Sequence, residues 1–263
     1  MGYNDFMELY RQPVYYEIAF SFFDSKMQVD AFEEIIEKFS GVKVCRFLDV
    51  ACGPSLQLRE IAKRGYGAVG LDSSREMLDY LRRKAKEEGV RVETVSADML
   101  KFRLKEKVDF AFIMMGSLLV ESNEQFLSHL DSVASCLKKG GLYFIQNWLV
   151  DWTKRDTRQN WVMEHDGIRV ETTYEWLLKD IVNQIGTETL TLDVDEKGKK
   201  KKFVDKRDLK IIFPQEFKLL VKTSEKFEFL GWFEGTESKW FLDKPLERAK
   251  TLSNINMVLL KRK

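Results

Sequence analysis

Cysteine and histidine are scarce in this sequence, which has three cysteines and two histidines among its 263 residues. The cysteines, Cys45, Cys52 and Cys136, have neither disulfide nor metal spacing, and an odd number of scattered thiols is typical of a reducing compartment. We therefore expect a cytoplasmic protein without disulfides. The sequence also lacks a cluster of His, Cys, Asp and Glu with metal-ligand spacing, so we predict no metal site.

Long apolar runs are absent as well. No run approaches the roughly 18 residues that a membrane-spanning helix needs, and the N-terminus lacks the basic segment and apolar core of a signal peptide. We predict neither a signal peptide nor a membrane span.

The sequence has no large excess of one charge. Lys and Arg number 43 and Asp and Glu 42, which leaves a formal net charge of +1. This balance argues against the basic face of a dedicated nucleic-acid binder, although a local basic patch stays open. Apolar residues make up 44% of the chain, enough for a buried core, so we exclude disorder.

Five short apolar runs alternate with amphipathic segments in the first part of the chain. The runs predict strands at 44–50, 67–71, 90–95, 108–115 and 142–148, and helices are predicted at 56–64, 77–86 and 123–137. Such an alternation predicts a mostly parallel α/β sheet with right-handed crossovers.

The pattern changes after residue 150. Longer alternating segments at 168–178, 187–194 and 203–213 predict antiparallel strands, with a turn at Gly198. A helix is expected from Pro214, followed by strands at 227–233 and 255–261. We predict an antiparallel insertion after the fifth strand, and then the completion of the main sheet.

Acidic residues stand where three successive strands end. Asp49 precedes a turn of small residues (51–55) that leads into a helix, so backbone N–H groups there can face a ligand. Asp72 follows about 20 residues beyond the turn, where an acid can hold ribose hydroxyls, and Asp98 ends the third strand. Each acid alone could be a helix cap, a task that Ser73 or Ser74 could share at the second strand. Together they predict a ligand site at this edge of the sheet.

Five motifs in this order resemble those of class I S-adenosylmethionine (SAM)-dependent methyltransferases: FLDVACGPS, GLDSSREML, SADML, FIMMGSLL and LKKGGLYFIQ. The resemblance implies a Rossmann-like, mostly parallel seven-stranded sheet and SAM as the cofactor. One departure is that Ala51 and Ser55 stand where glycine is common, leaving Gly53. The predicted cofactor residues are Tyr10, Asp49, Ala51, Gly53, Ser55, Asp72, Ser73, Met77, Asp98, Met99 and Met115.

The aromatic N-terminus resembles the lid segment that related methyltransferases fold over SAM. The resemblance divides the chain into a helical lid (1–40), a SAM-binding core (41–150) and a substrate-side insertion with the final strands (151–263). Methyl transfer needs proximity and alignment more than a strong base, so no catalytic residue is fixed. The candidates are Tyr16, Asn147 and His165, whereas His129 is expected on a helix surface.

Two acceptors stay open for a methyl group transferred to nitrogen or oxygen. The first is a small molecule enclosed by the lid and the insertion. The second is an RNA base, for which the five lysines within 197–202 would contact phosphates, although a solvated turn is the favoured explanation of these lysines. A non-catalytic SAM-binding protein is a third hypothesis, which the three acids disfavour.

Overall fold

The computed structural model describes residues 8–146, 156–236, 238–245 and 255–263. Within these ranges a 3₁₀ turn (Leu9–Arg11) is followed by six α-helices: α1 (Pro13–Ala19), α2 (Ser25–Phe39), α3 (Leu56–Lys63), α4 (Arg75–Glu87), α5 (Asn123–Cys136) and α6 (Pro214–Ser224). The strands are β1 (Arg46–Val50), β2 (Gly67–Asp72), β3 (Glu93–Ser96), β4 (Val108–Ile113), β5 (Leu137–Gln146), β6 (Asp156–His165), β7 (Ile168–Asp180), β8 (Ile185–Glu196), β9 (Lys199–Lys210), β10 (Phe227–Thr236), β11 (Lys239–Pro245) and β12 (Ile255–Arg262).

The central sheet has the order β11-β10-β12-β5-β4-β1-β2-β3. Strands β1 to β5 are parallel, whereas β12 runs antiparallel to both β5 and β10. The mostly parallel α/β fold predicted from the sequence is confirmed. The predicted count of seven strands is wrong, because residues 239–245 pair with β10 as an eighth strand. That segment is short and interrupted by charge, so it carries no clear alternating pattern.

Both faces of the central sheet are covered by helices, because successive side chains of a strand point to opposite faces. Phe47 in β1 lies on the side of α2, α3 and α4. Leu48 lies on the side of α5 and α6. Side-chain caps fix where the helices begin: Asp24, Ser74 and Ser122 each accept a hydrogen bond from a backbone N–H in the first turn.

The second sheet is antiparallel, with the order β6-β7-β8-β9, and lies between β5 and α6 in the chain. Its β8–β9 hairpin turns at Lys197 and Gly198, whose φ angles of 53° and 83° are those of a type I′ turn. The sequence did not predict β6, because most of its side chains are exposed and it lies at the edge of its sheet.

The N-terminal elements divide between the two sheets. Leu9, Tyr15 and Ile18 pack against the antiparallel sheet, whereas α2 packs against the central sheet. The division of the chain at residues 40 and 150 stays a prediction. Among the described residues, no helix has the length and apolar character needed to cross a membrane.

Candidate active site

The loop between β1 and α3 has an unusual backbone. Ala51, Gly53 and Ser55 have φ angles of 55°, 52° and 30°, in the left-handed region that favours glycine. The Cys52 N–H donates to the Leu71 carbonyl (2.9 Å), which anchors the loop to β2. Ser55 Oγ accepts from the Leu58 N–H (3.1 Å), so Ser55 is the N-cap of α3.

Asp49 holds this loop from below. Its side chain is buried, and Oδ2 accepts a hydrogen bond of 2.6 Å from Ser55 Oγ. Burial raises the pKa of Asp49 well above its ordinary value. The hydrogen bond from Ser55 lowers this pKa, and the charge of Asp72 raises it. The geometry thus gives Asp49 the task of organising the loop, while a direct contact to a cofactor stays a prediction.

Asp72 joins the loop to the start of α4. Its Oδ2 accepts from the Gly53 N–H (2.8 Å) and its Oδ1 from the Ser74 N–H (2.8 Å). Burial raises the pKa of Asp72, and these backbone donors oppose the shift. Ser74, rather than the exposed Ser73, caps α4. Each carboxylate oxygen keeps a further lone pair for a ligand hydroxyl.

Asp98 lies two residues beyond the end of β3 and is exposed, with Oδ1 accepting from the Leu100 N–H (2.8 Å). Met99 beside it is half-buried, and Met77 in α4 is buried. Asp98 and Met99 stand near the carboxyl end of β3, at the edge of the sheet where the resemblance expects the adenine.

His129 is fully buried, so the prediction of a helix-surface position is wrong. Its Nδ1 lies 2.8 Å from the Met99 carbonyl and its Nε2 lies 2.6 Å from the Tyr143 hydroxyl. Burial lowers the pKa of His129 to about 4, although the hydrogen bond to Met99 and the charge of Asp98 both act to raise it. His129 lies three residues after Phe126 and four before Val133, which are both buried. This helical spacing indicates that the three side chains share the buried face of α5.

A cleft of about 540 Å³, partly open to solvent, lies over the loop. It is lined by residues of α1 and the segment after it, of β1, the β1–α3 loop and the start of α3, and of the segment after β4: Tyr16, Glu17, Phe20, Phe23, Asp49, Ala51, Cys52, Gly53, Pro54, Ser55, Leu56, Gln57, Met114, Met115 and Ser117. Six predicted site residues, Tyr16, Asp49, Ala51, Gly53, Ser55 and Met115, therefore line the cleft, whereas the predicted Tyr10, Asp72, Ser73, Met77, Asp98 and Met99 do not. The sequence did not predict Phe20 and Phe23 in the lining. Met115 has a φ of 58°, and its N–H donates to Gln146 Oε1 (3.3 Å).

Aromatic side chains from the N-terminus cover the cleft. The Tyr16 ring centroid lies 4.7 Å from that of Phe20 and 6.0 Å from that of Tyr10. The Tyr10 carbonyl accepts from Ser74 Oγ (2.8 Å), which ties the 3₁₀ turn to the start of α4. Burial raises the pKa of Tyr16, and the charge of Asp72 raises it further. Tyr16 is thus a neutral, partly desolvated donor beside the loop.

One predicted catalytic candidate does not join this group, and another cannot be placed. His165 is exposed at the β6–β7 turn, where its Nε2 lies 3.3 Å from Asp166 Oδ2, and it does not line the cleft. The turn follows an unpredicted strand that carries this histidine to the end of the hairpin. Asn147 lies outside the described residues.

The lysine-rich hairpin is partly held by internal contacts. Lys201 Nζ lies 2.5 Å from the Tyr15 hydroxyl and 2.9 Å from Glu196 Oε2. Lys202 Nζ lies 3.4 Å from Asp193. These two lysines therefore hold the hairpin to α1 and to β8.

Comparison with known proteins gives consistent likenesses. Residues 47–141 match a family model described as a methyltransferase domain. A curated relative, the dTDP-3-amino-3,4,6-trideoxy-alpha-D-glucopyranose N,N-dimethyltransferase of Streptomyces venezuelae, is 28% identical over 116 residues, 44% of this chain. The aligned region spans 46% of the length of that relative.

Solved structures resemble the whole chain. DesVI from Streptomyces venezuelae has a TM-score of 0.73 at 18% identity, covering 100% of this chain and 99% of that one. SAM-bound CalS10, an amino pentose methyltransferase from Micromonospora echinaspora, has a TM-score of 0.66 at 16% identity, covering 91% of each chain. At these identities the likeness shows a common fold.

Proposed function

We propose that this chain is a class I SAM-dependent methyltransferase that transfers a methyl group from SAM to a nitrogen atom of a small amino-sugar acceptor. The observation that carries the proposal is Asp72 at the carboxyl end of β2, bonded to Gly53 and Ser74, within the segment that matches the methyltransferase domain. The named relatives that act on amino sugars support the choice of acceptor.

The residues around the cleft fit SAM. The Asp72 oxygens each accept one backbone N–H and keep capacity for the two ribose hydroxyls. Gly53 presents bare backbone to the cleft, since a Cβ there would meet nothing nearer than a Tyr16 ring carbon at 4.0 Å. We assign Gly53, Asp72 and Met115 to hold the cofactor, with Asp98 and Met99 at its base.

SAM supplies an electrophilic methyl group on a sulfonium, and the electrons of the broken carbon–sulfur bond stay with sulfur. The chain itself contributes binding, alignment and the exclusion of water. Tyr16 in α1 and Phe20 directly after α1 close one side of the cleft, and Met114 and Met115 form the wall after β4. This arrangement needs no metal.

RNA as the acceptor gains no support from the relatives named above. Two of the five hairpin lysines are engaged within the protein, where Lys201 holds Tyr15 and Lys202 faces Asp193. The remaining charge of the hairpin is what a solvated turn carries.

Transfer of labelled methyl groups tests the proposal. The protein and methyl-labelled SAM are incubated with nucleotide-linked 3-amino hexoses, with their 3-hydroxy counterparts and with total RNA. We expect label in the amino hexoses alone and little loss of activity between 50 and 200 mM salt. An RNA-binding enzyme that makes several phosphate contacts would lose about 10³-fold or more in affinity over that range. Label in RNA alone, or in none of the three, would overturn the proposal.

A further inference from the structure

A set of polar side chains occupies the face of the antiparallel sheet that α1 covers. We call Tyr174 in β7, Glu188 in β8, and Asp205 and Arg207 in β9 the polar recess. The strand register sets Arg207 opposite Glu188 and Asp205 opposite Leu190. Because residues two apart share a face, the recess continues the apolar surface of Leu190 and Leu192 on which Tyr15 and Ile18 pack.

The recess carries an unbalanced charge. Tyr174 donates from its hydroxyl to Glu188 Oε2 (3.1 Å). Asp205 Oδ2 pairs with Arg207 and accepts from the Tyr10 hydroxyl at 3.3 Å. The Arg207 guanidinium lies 5.2 Å from the centre of the Tyr10 ring. Two carboxylates against one guanidinium leave one negative charge, which suits a cationic ligand.

Two buried atoms of the recess have no hydrogen-bond partner among the described residues. Asp205 is only 2% exposed, yet its Oδ1 accepts no hydrogen bond, and the Nε of Arg207 has no acceptor. Because buried polar groups are nearly always paired, these atoms indicate a polar ligand.

The recess adjoins the cleft across Tyr16. The charges of Asp72, Glu188 and Asp205 all raise the pKa of Tyr16, behind burial as the main cause. The geometry agrees, because Tyr10 donates to Asp205 Oδ2 (3.3 Å) and its ring centroid lies 6.0 Å from that of Tyr16, which lines the cleft. A molecule bound in the recess would be next to the methyl donor.

We propose that the polar recess binds the acceptor, with a protonated amine against Glu188 and neighbouring hydroxyl groups against Asp205 and Arg207. This inference rests on the proposed function and names its substrate site. It selects a hydroxylated primary or secondary amine over a neutral sugar, because only the amine neutralises the charge of Glu188.

Glu188 is also suited to take a proton from the acceptor. An ammonium nitrogen has no free electron pair, so one N–H bond must break before the nitrogen can be methylated. The proton passes to a Glu188 oxygen, the electron pair stays on nitrogen, and Glu188 becomes a neutral acid. Burial raises the pKa of Glu188, and a higher pKa makes its carboxylate a better proton acceptor. The charge of Arg207 and the Tyr174 hydrogen bond lower this pKa, whereas the charge of Asp205 raises it.

Equilibrium binding tests the recess separately from turnover. With S-adenosylhomocysteine present, 2-, 3- and 4-amino hexoses and their N-acetylated forms are titrated by calorimetry into wild type, Glu188→Gln and Glu164→Gln. We expect wild type to prefer at least one free amine over its N-acetylated form by about tenfold or more. Glu188→Gln should remove that preference, and Glu164→Gln, which changes an exposed carboxylate of β6, should keep it.

A second variant and a folding control complete the test. Tyr174→Phe removes only the hydroxyl that donates to Glu188 and should weaken amine binding by about threefold to tenfold. Unchanged affinity for S-adenosylhomocysteine shows that each variant is folded. The recess assignment is overturned if no free amine is preferred, or if Glu188→Gln keeps the preference. If amine binding depends on Glu188 but no methyl transfer occurs, the recess assignment is supported and the proposed function is overturned.

Discussion

At the scale of single residues, the loop after β1 replaces two glycines of the familiar motif with Ala51 and Ser55. Both residues have left-handed φ angles, 55° and 30°, which cost a non-glycine residue about 1–2 kcal/mol. Ser55 offsets part of this cost, because its hydroxyl donates to Asp49 and accepts from Leu58. Glycine is therefore kept only at position 53, where the backbone faces the cleft and Asp72.

Asp72→Asn is expected to weaken SAM binding by roughly 1.5–3 kcal/mol, because the charge is lost and one of its two acceptor oxygens becomes a donor. The Gly53 or Ser74 N–H also loses its acceptor. Calorimetric titration with SAM measures the effect. Asp131→Asn, at an exposed position of α5, is the matched control. Equal affinity for SAM in the two variants would contradict the assignment of Asp72 to the ribose hydroxyls.

His129 is predicted to make stability depend on pH. Its folded-state pKa of about 4 lies below the ordinary value of 6.5, so the unfolded chain takes up a proton first as pH falls. Its contribution is therefore complete above pH 6.5 and is lost as pH falls toward 4. The loss amounts to about 3 kcal/mol over that window.

The two histidines of the chain supply their own control for this prediction. Urea unfolding between pH 7 and 4 is compared for wild type, His129→Gln and His165→Gln. The slope of unfolding free energy against pH should flatten in His129→Gln alone, since His165 is exposed. Parallel slopes in all three proteins would contradict the role given to burial.

At the scale of elements, the antiparallel sheet depends on a close approach between β7 and β8. A Cβ on Gly186 would lie 2.0 Å from Trp176 Cζ2, so the ring fills the space that any side chain would need. Trp176 in turn packs with Leu209 and Ile211 at the end of the sheet. The sheet therefore positions Glu188, two residues along β8, through this contact.

Gly186→Ala is expected to destabilise the protein by roughly 1–3 kcal/mol, because Trp176 must move. Gly198→Ala is the comparison variant, since its Cβ would meet nothing within 4 Å and only its φ of 83° opposes the change, at about 1 kcal/mol. Urea unfolding measures both values. A smaller loss for Gly186→Ala than for Gly198→Ala would contradict the packing argument.

The strands differ in how well their sequences predict them. β1, β2 and β4 are buried apolar runs bounded by turns, and their positions follow from the sequence. β6 and β11 lie at sheet edges, where one side lacks a partner strand and apolar periodicity weakens. These two strands are fixed by their neighbours, which a local pattern does not contain.

At the scale of the whole molecule, the same contrast separates the two halves of the site. Asp49, Asp72 and Asp98 are predictable because parallel strands end at one edge and chain order gives their spacing. The polar recess is not predictable from the sequence, because its contacts join distant parts of the chain. Tyr10, for example, donates a hydrogen bond to Asp205, 195 positions away. Such a contact arises only once the antiparallel sheet has folded back over the cleft.

The position of β12 sets the order in which the central sheet can form. β12 follows β10 and β11 along the chain but lies between β5 and β10. Among the described strands, the β10–β11 hairpin therefore joins the rest of the sheet only through β12. During translation β5 and β10 each have one edge without a partner strand until β12 is made. The pairing of β12 with β5 joins distant parts of the chain, and pairings of high contact order form slowly. Until β12 pairs, the edges of β5 and β10 stay open, and unpaired strand edges promote aggregation.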